Sequence, residues 1–267
     1  MKPKAIILHA PGTNRDNDAA LALKLAGADS EIIHIKQLKE RKQNWSDFSM
    51  LVIPGGFSYA DALGAGKLFA LDLANYFFDE VNEFVLSGKP VIGICNGFQV
   101  LVKSGILPGN EAGENLNPQG YKNRNATLTF NKQGRFECRN VNLIPEKSNC
   151  IWTKNLTANI HCPIAHGEGR FIVDNENTLN RLKNNGQIAL TYAKQNAPAN
   201  GEYPYNPNGS IADIAGICNK AGNVLGLMPH PENNVLVRNR HYQQSVKQKT
   251  KDCLAFWEAG VKYASEI

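Results

Sequence analysis

Short β-branched runs that alternate with helical stretches constrain the amino-terminal half of this chain more than any other feature. "KAIILHA" ends at Pro11-Gly12, "EIIHI" and "MLVIPGG" follow, and "PVIGI" comes fourth. Between them lies "DNDAALALKLAG", a predicted helix that Asp16 or Asn17 caps and Gly27 ends. "DALGAGKLFALDLANYFFDEVNEFVLSG" carries apolar residues at helical spacing and stops at Gly88. "GFQVLVKSG" reads as a shorter helix ending at Gly105. Strands of this kind, each followed by a helix, predict an α/β fold with a parallel sheet covered on both faces.

The carboxy-terminal half reads differently. "NATLTFN", "RFECRNVNLI", "GRFIVDN", "QIALTYA", "IAGICN" and "NVLGLMPH" predict strands of a more antiparallel region, with "ENTLNRLKNNG" a helix among them. "NAPANGEYPYNPNGS" is dense in turn formers and reads as a loop. "KDCLAFWEAGVKYA" closes the chain as a helix. Strand patterns resume straight after the stretch 106–123, so it is not read as a linker. The expectation is one domain over 1–267 with a basic carboxy-terminal extension from about 233.

At 267 residues the chain can bury a full core without disulfides or metals. Its net charge of +5 neither demands nor excludes an acidic partner. The start "MKPKAIILHAPG" has too short an apolar run for a signal peptide, and no segment approaches the ~20 apolar residues of a membrane span. The expectation is therefore a cytoplasmic protein with no membrane and no nucleic-acid partner. Cys95, Cys138, Cys150, Cys162, Cys218 and Cys253 are scattered without a C-x-x-C pair and read as free thiols.

The chemistry sits at strand ends. In "GICNG" a strand feeds a helix through a tight turn, and Gly93 and Gly97 relieve crowding around Cys95. This is the logic of a nucleophile elbow, with the helix amino terminus favouring a thiolate. The pentapeptide alone fits a buried structural thiol as well. "PGGF", with Gly55, Gly56 and Phe57, follows the strand "MLVI" and can turn backbone amides toward a ligand. If the two strands are neighbours, Gly56, Phe57 and the Asn96 amide are candidate oxyanion donors. Alone, an ordinary turn explains this motif. In "MPHPE", His230 and Glu232 are two apart in an extended segment and face the same way. A carboxylate there fixes the tautomer of the imidazole and stabilises its protonated form. An isolated surface histidine remains the alternative. Together the segments supply a nucleophile, a base, an orienting acid and an oxyanion site.

"GICNGFQ" with "MPHPE" resembles the class I glutamine amidotransferases. "PGTNRDND", "PGGFSYAD", "GICNGFQVLVKSGILPG", "FECR", "PIAHGEGRF", "NPNGS", "IAGICN" and "GLMPHPE" are similar, in order, to the glutaminase subunits of phosphoribosylformylglycinamidine synthases. The resemblance runs from residue 4 to about 232. It implies a three-layer α/β/α sandwich of flavodoxin-like type with a mostly parallel central sheet. It also implies a catalytic triad of Cys95, His230 and Glu232, with Gly55, Gly56, Phe57, Asn96 and Gln99 around the substrate, glutamine. The implied partners are a large synthetase subunit, which carries ATP and magnesium, and a small bridging subunit. No cofactor is expected on this chain. "GAGKLF" fits that expectation, because it lacks the Ser/Thr after Lys67 and the spacing of a phosphate loop.

Some positions depart from the family pattern. Ala60 stands where Gly is usual, Arg15 where Cys is common and Asn233 where Arg is common. Ala60 puts the backbone of its loop in question, since Gly adopts positive φ at lower cost. His161, Cys162 and His166 invite a metal reading, but no second cluster accompanies them and a structural zinc needs four ligands, so none is expected. Resemblance places that segment near the active site and the synthetase interface. Arg238, Arg240, Lys247, Lys249 and Lys251 read as solvated surface. An amidotransferase of another pathway, a cysteine hydrolase acting on esters or peptides, and a non-catalytic binding module are the competing readings. The first is disfavoured by Asn96 with "HGEG", the second by the position of the acid and the third by the intact triad.

Overall fold

A computed structural model describes residues 2–40, 44–109, 125–236 and 244–267. Its first elements are β1 (Lys4–His9), α1 (Asp16–Leu25), β2 (Asp29–His34), α2 (Ile35–Lys39) and β3 (Met50–Ile53). Then come α3 (Lys67–Tyr76), α4 (Phe78–Leu86), β4 (Val91–Ile94) and α5 (Asn96–Lys103). The second half holds β5 (Ala126–Thr129), β6 (Glu137–Pro145), β7 (Ile160–His166), β8 (Arg170–Val173), α6 (Glu176–Asn184) and β9 (Ile188–Lys194). It ends with β10 (Ala197–Pro198), β11 (Ile214–Cys218), β12 (Val224–Leu227) and α7 (Gln244–Glu266).

The main sheet runs β2-β1-β3-β4-β12-β11-β9-β6-β7, with β10 beside β9 and β5-β8 as a separate pair. From β2 to β12 the pairings are parallel. Beyond β12 they are antiparallel. The inner parallel strands β3, β4 and β12 are buried along their whole length, as their unbroken apolar runs require of strands covered on both faces. α1 packs on α7, and α3 on α5, which lies against β3, β4 and β12, so helices cover the parallel half from both sides. This is the α/β sandwich that the alternation predicted.

Register decides where chemistry can occur. Leu227 pairs with Ile94, so β4 and β12 end in step. β3 lies on the other side of β4, with Ile53 opposite Gly93. The loops after all three strands therefore open at one sheet edge, where open α/β sheets bind ligands.

Several local expectations change. The long helix over 61–88 is two helices, α3 and α4. Gly66, in the left-handed region at φ 71, delays the start to Lys67. Phe77 then breaks the run at φ −134 and packs its ring against Trp45 at 6.0 Å. Arg15, not Asp16 or Asn17, occupies the cap of α1, and its side chain makes no capping bond. The Asp16 carboxylate is taken by His9 Nδ1 at 2.7 Å and the Asn17 amide at 3.0 Å. β7 comes from "IHCPIAH", which was not among the strands expected from the sequence. The closing helix begins at Gln244 rather than 251 and buries Cys253, Phe256 and Trp257 in the common core. Arg238, Arg240, the stretch 110–124 and the side chains of Lys247 and Lys249 lie outside the described residues.

β7 is the far edge of the sheet, and its outward carbonyls do not face solvent. His161 O accepts from Asn234 Nδ2 at 2.6 Å and from Cys253 Sγ at 3.3 Å. Pro163 O accepts the His230 amide at 2.8 Å, and Ala165 O accepts Cys95 Sγ at 3.7 Å. Pro163 sits where the strand can lack an N–H, as edge prolines do. The antiparallel half thus curls back to meet the loops of β4 and β12.

Candidate active site

Cys95 occupies the turn between β4 and α5 with φ 51 and ψ −104, a conformation that side chains other than Gly rarely adopt. Its amide bonds Leu227 O at 2.8 Å, which locks the turn to β12. The flanking glycines are sterically required. A Cβ on Gly97 would lie 1.9 Å from Ile53 O, and one on Gly93 would lie 2.5 Å from Leu101 Cδ1. Cys95 is 5% exposed and stands at the amino terminus of α5. The first-turn amides of a helix have no intrahelical acceptor and carry its positive dipole end. The elbow reading of "GICNG" therefore fits the local geometry.

His230 and Glu232 lie after β12, in and beside a 3-10 turn over Pro231–Asn234. His230 Nδ1 bonds Glu232 Oε1 at 2.6 Å, and both side chains are buried. Burial by itself favours the neutral imidazole, but the Glu232 carboxylate and the interaction with Cys95 outweigh it and raise the pKa of His230 to about 10. His230 is thus an imidazolium near neutral pH, facing a carboxylate on one side and Cys95 on the other. Gly55 supplies the room: a Cβ there would come within 2.7 Å of His230 Cε1 and 3.4 Å of Cys95 Cβ. The three motifs from β3, β4 and β12 do meet.

The Gly55–Phe57 loop is clamped by the segment after β1. Asn14 and Arg15 amides donate to Gly55 O at 3.4 and 3.2 Å, and the Phe57 amide donates to Gly12 O at 3.0 Å. This corrects the role expected for Phe57. Its N–H is spent on the bridge between 12–14 and 55–57, and its ring is exposed. The Gly56 amide takes no part in those bonds. The Asn96 amide, at the head of α5, follows Cys95 directly.

Asn96 and Gln99 are buried, and their side chains are occupied by the protein. Asn96 Oδ1 accepts from the Ser58 amide at 3.3 Å and from the Ser58 hydroxyl. Asn96 Nδ2 donates to Asp61 Oδ1 and Gln99 Oε1, each at 3.0 Å. Gln99 Nε2 donates to Glu168 O at 2.7 Å. These amides tie the loop after Phe57 and the H-G-E-G segment to α5, and both donors and both lone pairs of the Asn96 side chain are taken by the protein. The same loop is strained. Tyr59, Ala60, Asp61 and Leu63 all have φ between 51 and 64. Ala60, at φ 53, holds a left-handed conformation that Gly adopts at lower cost. Burial and the nearby Glu168 raise the pKa of Asp61.

Among the described residues no group of three or more His, Cys, Asp or Glu side chains could hold a metal. His161 Nδ1 bonds Asn142 Oδ1 at 2.8 Å, and His166 Nδ1 bonds Asn131 Oδ1 at 3.1 Å. Strand alternation sends His161 and Cys162 to opposite faces of β7. Sequence reasoning did not find Ser58, Pro163 or the Ala165 carbonyl. Period-two burial at Ile160, Cys162 and Ile164 was the available signal for the strand that carries two of them.

Residues 2–264 match the family of CobB/CobQ-like glutamine amidotransferase domains. A Treponema denticola protein described as phosphoribosylformylglycinamidine synthase subunit PurQ is 69% identical, over 98% of this chain and 99% of its own length. A Methanococcus maripaludis protein of the same description is 44% identical, over 87% of this chain and 83% of its own. Among solved structures, a chain of PurLQS from Thermotoga maritima superposes with a TM-score of 0.72 at 29% identity, covering 98% of this chain and 99% of that one.

Proposed function

The chain belongs to the CobB/CobQ-like glutamine amidotransferase family, among the glutaminase subunits of phosphoribosylformylglycinamidine synthase, and from that premise we propose that Cys95, His230 and Glu232 hydrolyse glutamine to feed ammonia to a synthetase subunit. The buried His230–Glu232 pair, 2.6 Å apart beside the Cys95 elbow, carries this assignment. The Cys95 thiolate attacks the side-chain carbonyl carbon of glutamine. Gly56 and Asn96 amides receive the developing oxyanion. The His230 imidazolium gives its proton to the leaving nitrogen, the C–N bond breaks, and NH3 departs from a γ-glutamyl thioester. Neutral His230 then takes a proton from water as the oxygen adds to the thioester. Collapse releases glutamate, expels the Cys95 sulfur and leaves the proton on His230. Glu232 holds the ring in the tautomer that makes this possible. Gly55, Phe57 and Gln99 shape the site, Gly55 by leaving room and Gln99 through the H-G-E-G loop.

The ammonia goes to a large synthetase subunit that uses ATP and magnesium to convert formylglycinamide ribonucleotide to formylglycinamidine ribonucleotide, with a small bridging subunit in the complex. The PurLQS assembly of the Thermotoga relative supports this pairing. Among the described residues no helix is long and apolar enough to cross a membrane, and the reading places the complex in the cytoplasm. The test is glutamate release by the full chain, alone and with the synthetase partners, for wild type and Cys95→Ala. Loss of release in the variant is expected, and wild-type turnover in Cys95→Ala would sink the mechanism.

A further inference from the structure

His166, at the end of β7, is buried and is not used by the triad. Its protonation state follows from its partner. Asn131 Nδ2 donates to Arg135 O at 2.9 Å and to His166 O at 2.8 Å, so its Oδ1 must be the acceptor on the other side. That oxygen takes the Gly169 amide at 3.0 Å and His166 Nδ1 at 3.1 Å. Nδ1 therefore carries the hydrogen, and Nε2 presents a bare lone pair. Nε2 is buried and has no hydrogen-bond partner among the described residues.

A buried acceptor without a donor is costly unless something fills it. Its surroundings narrow the donor. The preceding residue, Ala165, gives its carbonyl to Cys95 Sγ at 3.7 Å. Burial and the charge of His230 lower the pKa of His166 to about 3, so the ring stays neutral beside the imidazolium. Gly169 closes over it: a Cβ there would stand 2.3 Å from His166 Cε1. A neutral, weakly basic acceptor can take an N–H bond without passing a proton to the nitrogen.

We propose that His166 Nε2 accepts a hydrogen bond from the nitrogen that leaves glutamine, as the carboxamide NH2 and then as NH3. No bond is made or broken at His166. This rests on the glutaminase reading above and adds to it a residue that handles the departing nitrogen.

The test compares two substrates that form the same thioester. L-Glutamine has an N–H leaving group, and L-glutamate γ-methyl ester has none. In the full chain with its synthetase partners, His166→Leu is expected to lower the ratio of kcat/KM for glutamine to kcat/KM for the ester about tenfold. His166→Gln, which keeps an acceptor oxygen, is expected to recover much of that ratio. A structural role would lower both substrates together, and an unchanged ratio in His166→Leu overturns the proposal. Nitrogen-15 NMR of the wild type gives an answer independent of variant folding: Nδ1 is expected as the protonated nitrogen and Nε2 as the bare one, and the reverse assignment overturns it. Activity retained on both substrates in Cys95→Ala would sink the glutaminase reading instead.

Discussion

The carbonyl of Pro163 accepts the backbone amide of His230 at 2.8 Å. The two residues are far apart in sequence, and the bond fastens the edge strand β7 to the turn that holds His230 and Glu232. Asn234 extends the seam one step further by donating to His161 O.

Asn234→Ala removes that donor. Because Cys253 Sγ also reaches His161 O, the loss of stability is expected to be about 1 kcal/mol. Urea unfolding measures it. Looser seating of the turn should lower kcat for glutamine more than it raises KM.

His230 gives the pH dependence. Its folded pKa of about 10 lies above the unfolded value near 6.5, so the protonated ring stabilises the fold. That contribution is fully present below the unfolded value and is lost as pH rises through about 10. The rate of thioester formation should fall over the same range, because the imidazolium supplies the leaving-group proton. Glu232→Gln removes a charge that holds the proton on His230. Its alkaline limb is expected to move down by about one pH unit or more, and a limb that stays in place would show that Glu232 does not set this pKa.

Gly55→Ala places a Cβ 2.7 Å from His230 Cε1, and the ring is pinned by Glu232 and cannot retreat. Misplacement on this scale is expected to cost about 100-fold in kcat. The circular dichroism spectrum should remain that of the wild type.

Asn96→Ala deletes the hub between Ser58, Asp61 and Gln99. Partners left buried and unpaired are expected to cost about 2–3 kcal/mol in unfolding free energy. Glutamine turnover should fall with it, since the Gly55–Phe57 loop leads directly into Ser58. Ser58→Ala, which leaves the other contacts, should have a smaller effect on both.

Ala60→Gly should stabilise the protein. Ala60 sits at φ 53, where an L side chain costs about 1 kcal/mol relative to Gly. A rise of about 2–4 °C in Tm is expected. An unchanged or lower Tm would mean that the freedom Gly adds to the unfolded chain cancels the gain.

The amino-acid sequence by itself determined the parallel half of the sheet, because runs such as "MLVI" and "PVIGI" are local and can be buried only inside a covered sheet. It determined the Cys95 elbow, because Gly93 and Gly97 flank Cys95 where a Cβ would strike Leu101 or Ile53 and keep α5 from packing against the strands. It also brought His230 and Glu232 to a common side through their spacing of two. It misjudged the break at Phe77, which a distant ring contact with Trp45 accompanies, and the cap of α1, where His9 claims the Asp16 carboxylate. Only the tertiary structure decided that β12 lies beside β4 in step, which sets His230 against Cys95. It alone decided that β7 returns to offer Pro163 and Ala165 carbonyls to the site, that Phe57 gives its amide to Gly12, and that His166 keeps a bare Nε2. Each of these is a hydrogen bond, or the absence of one, between residues that no periodicity links. Chain topology brings such residues together, and local preference does not encode it.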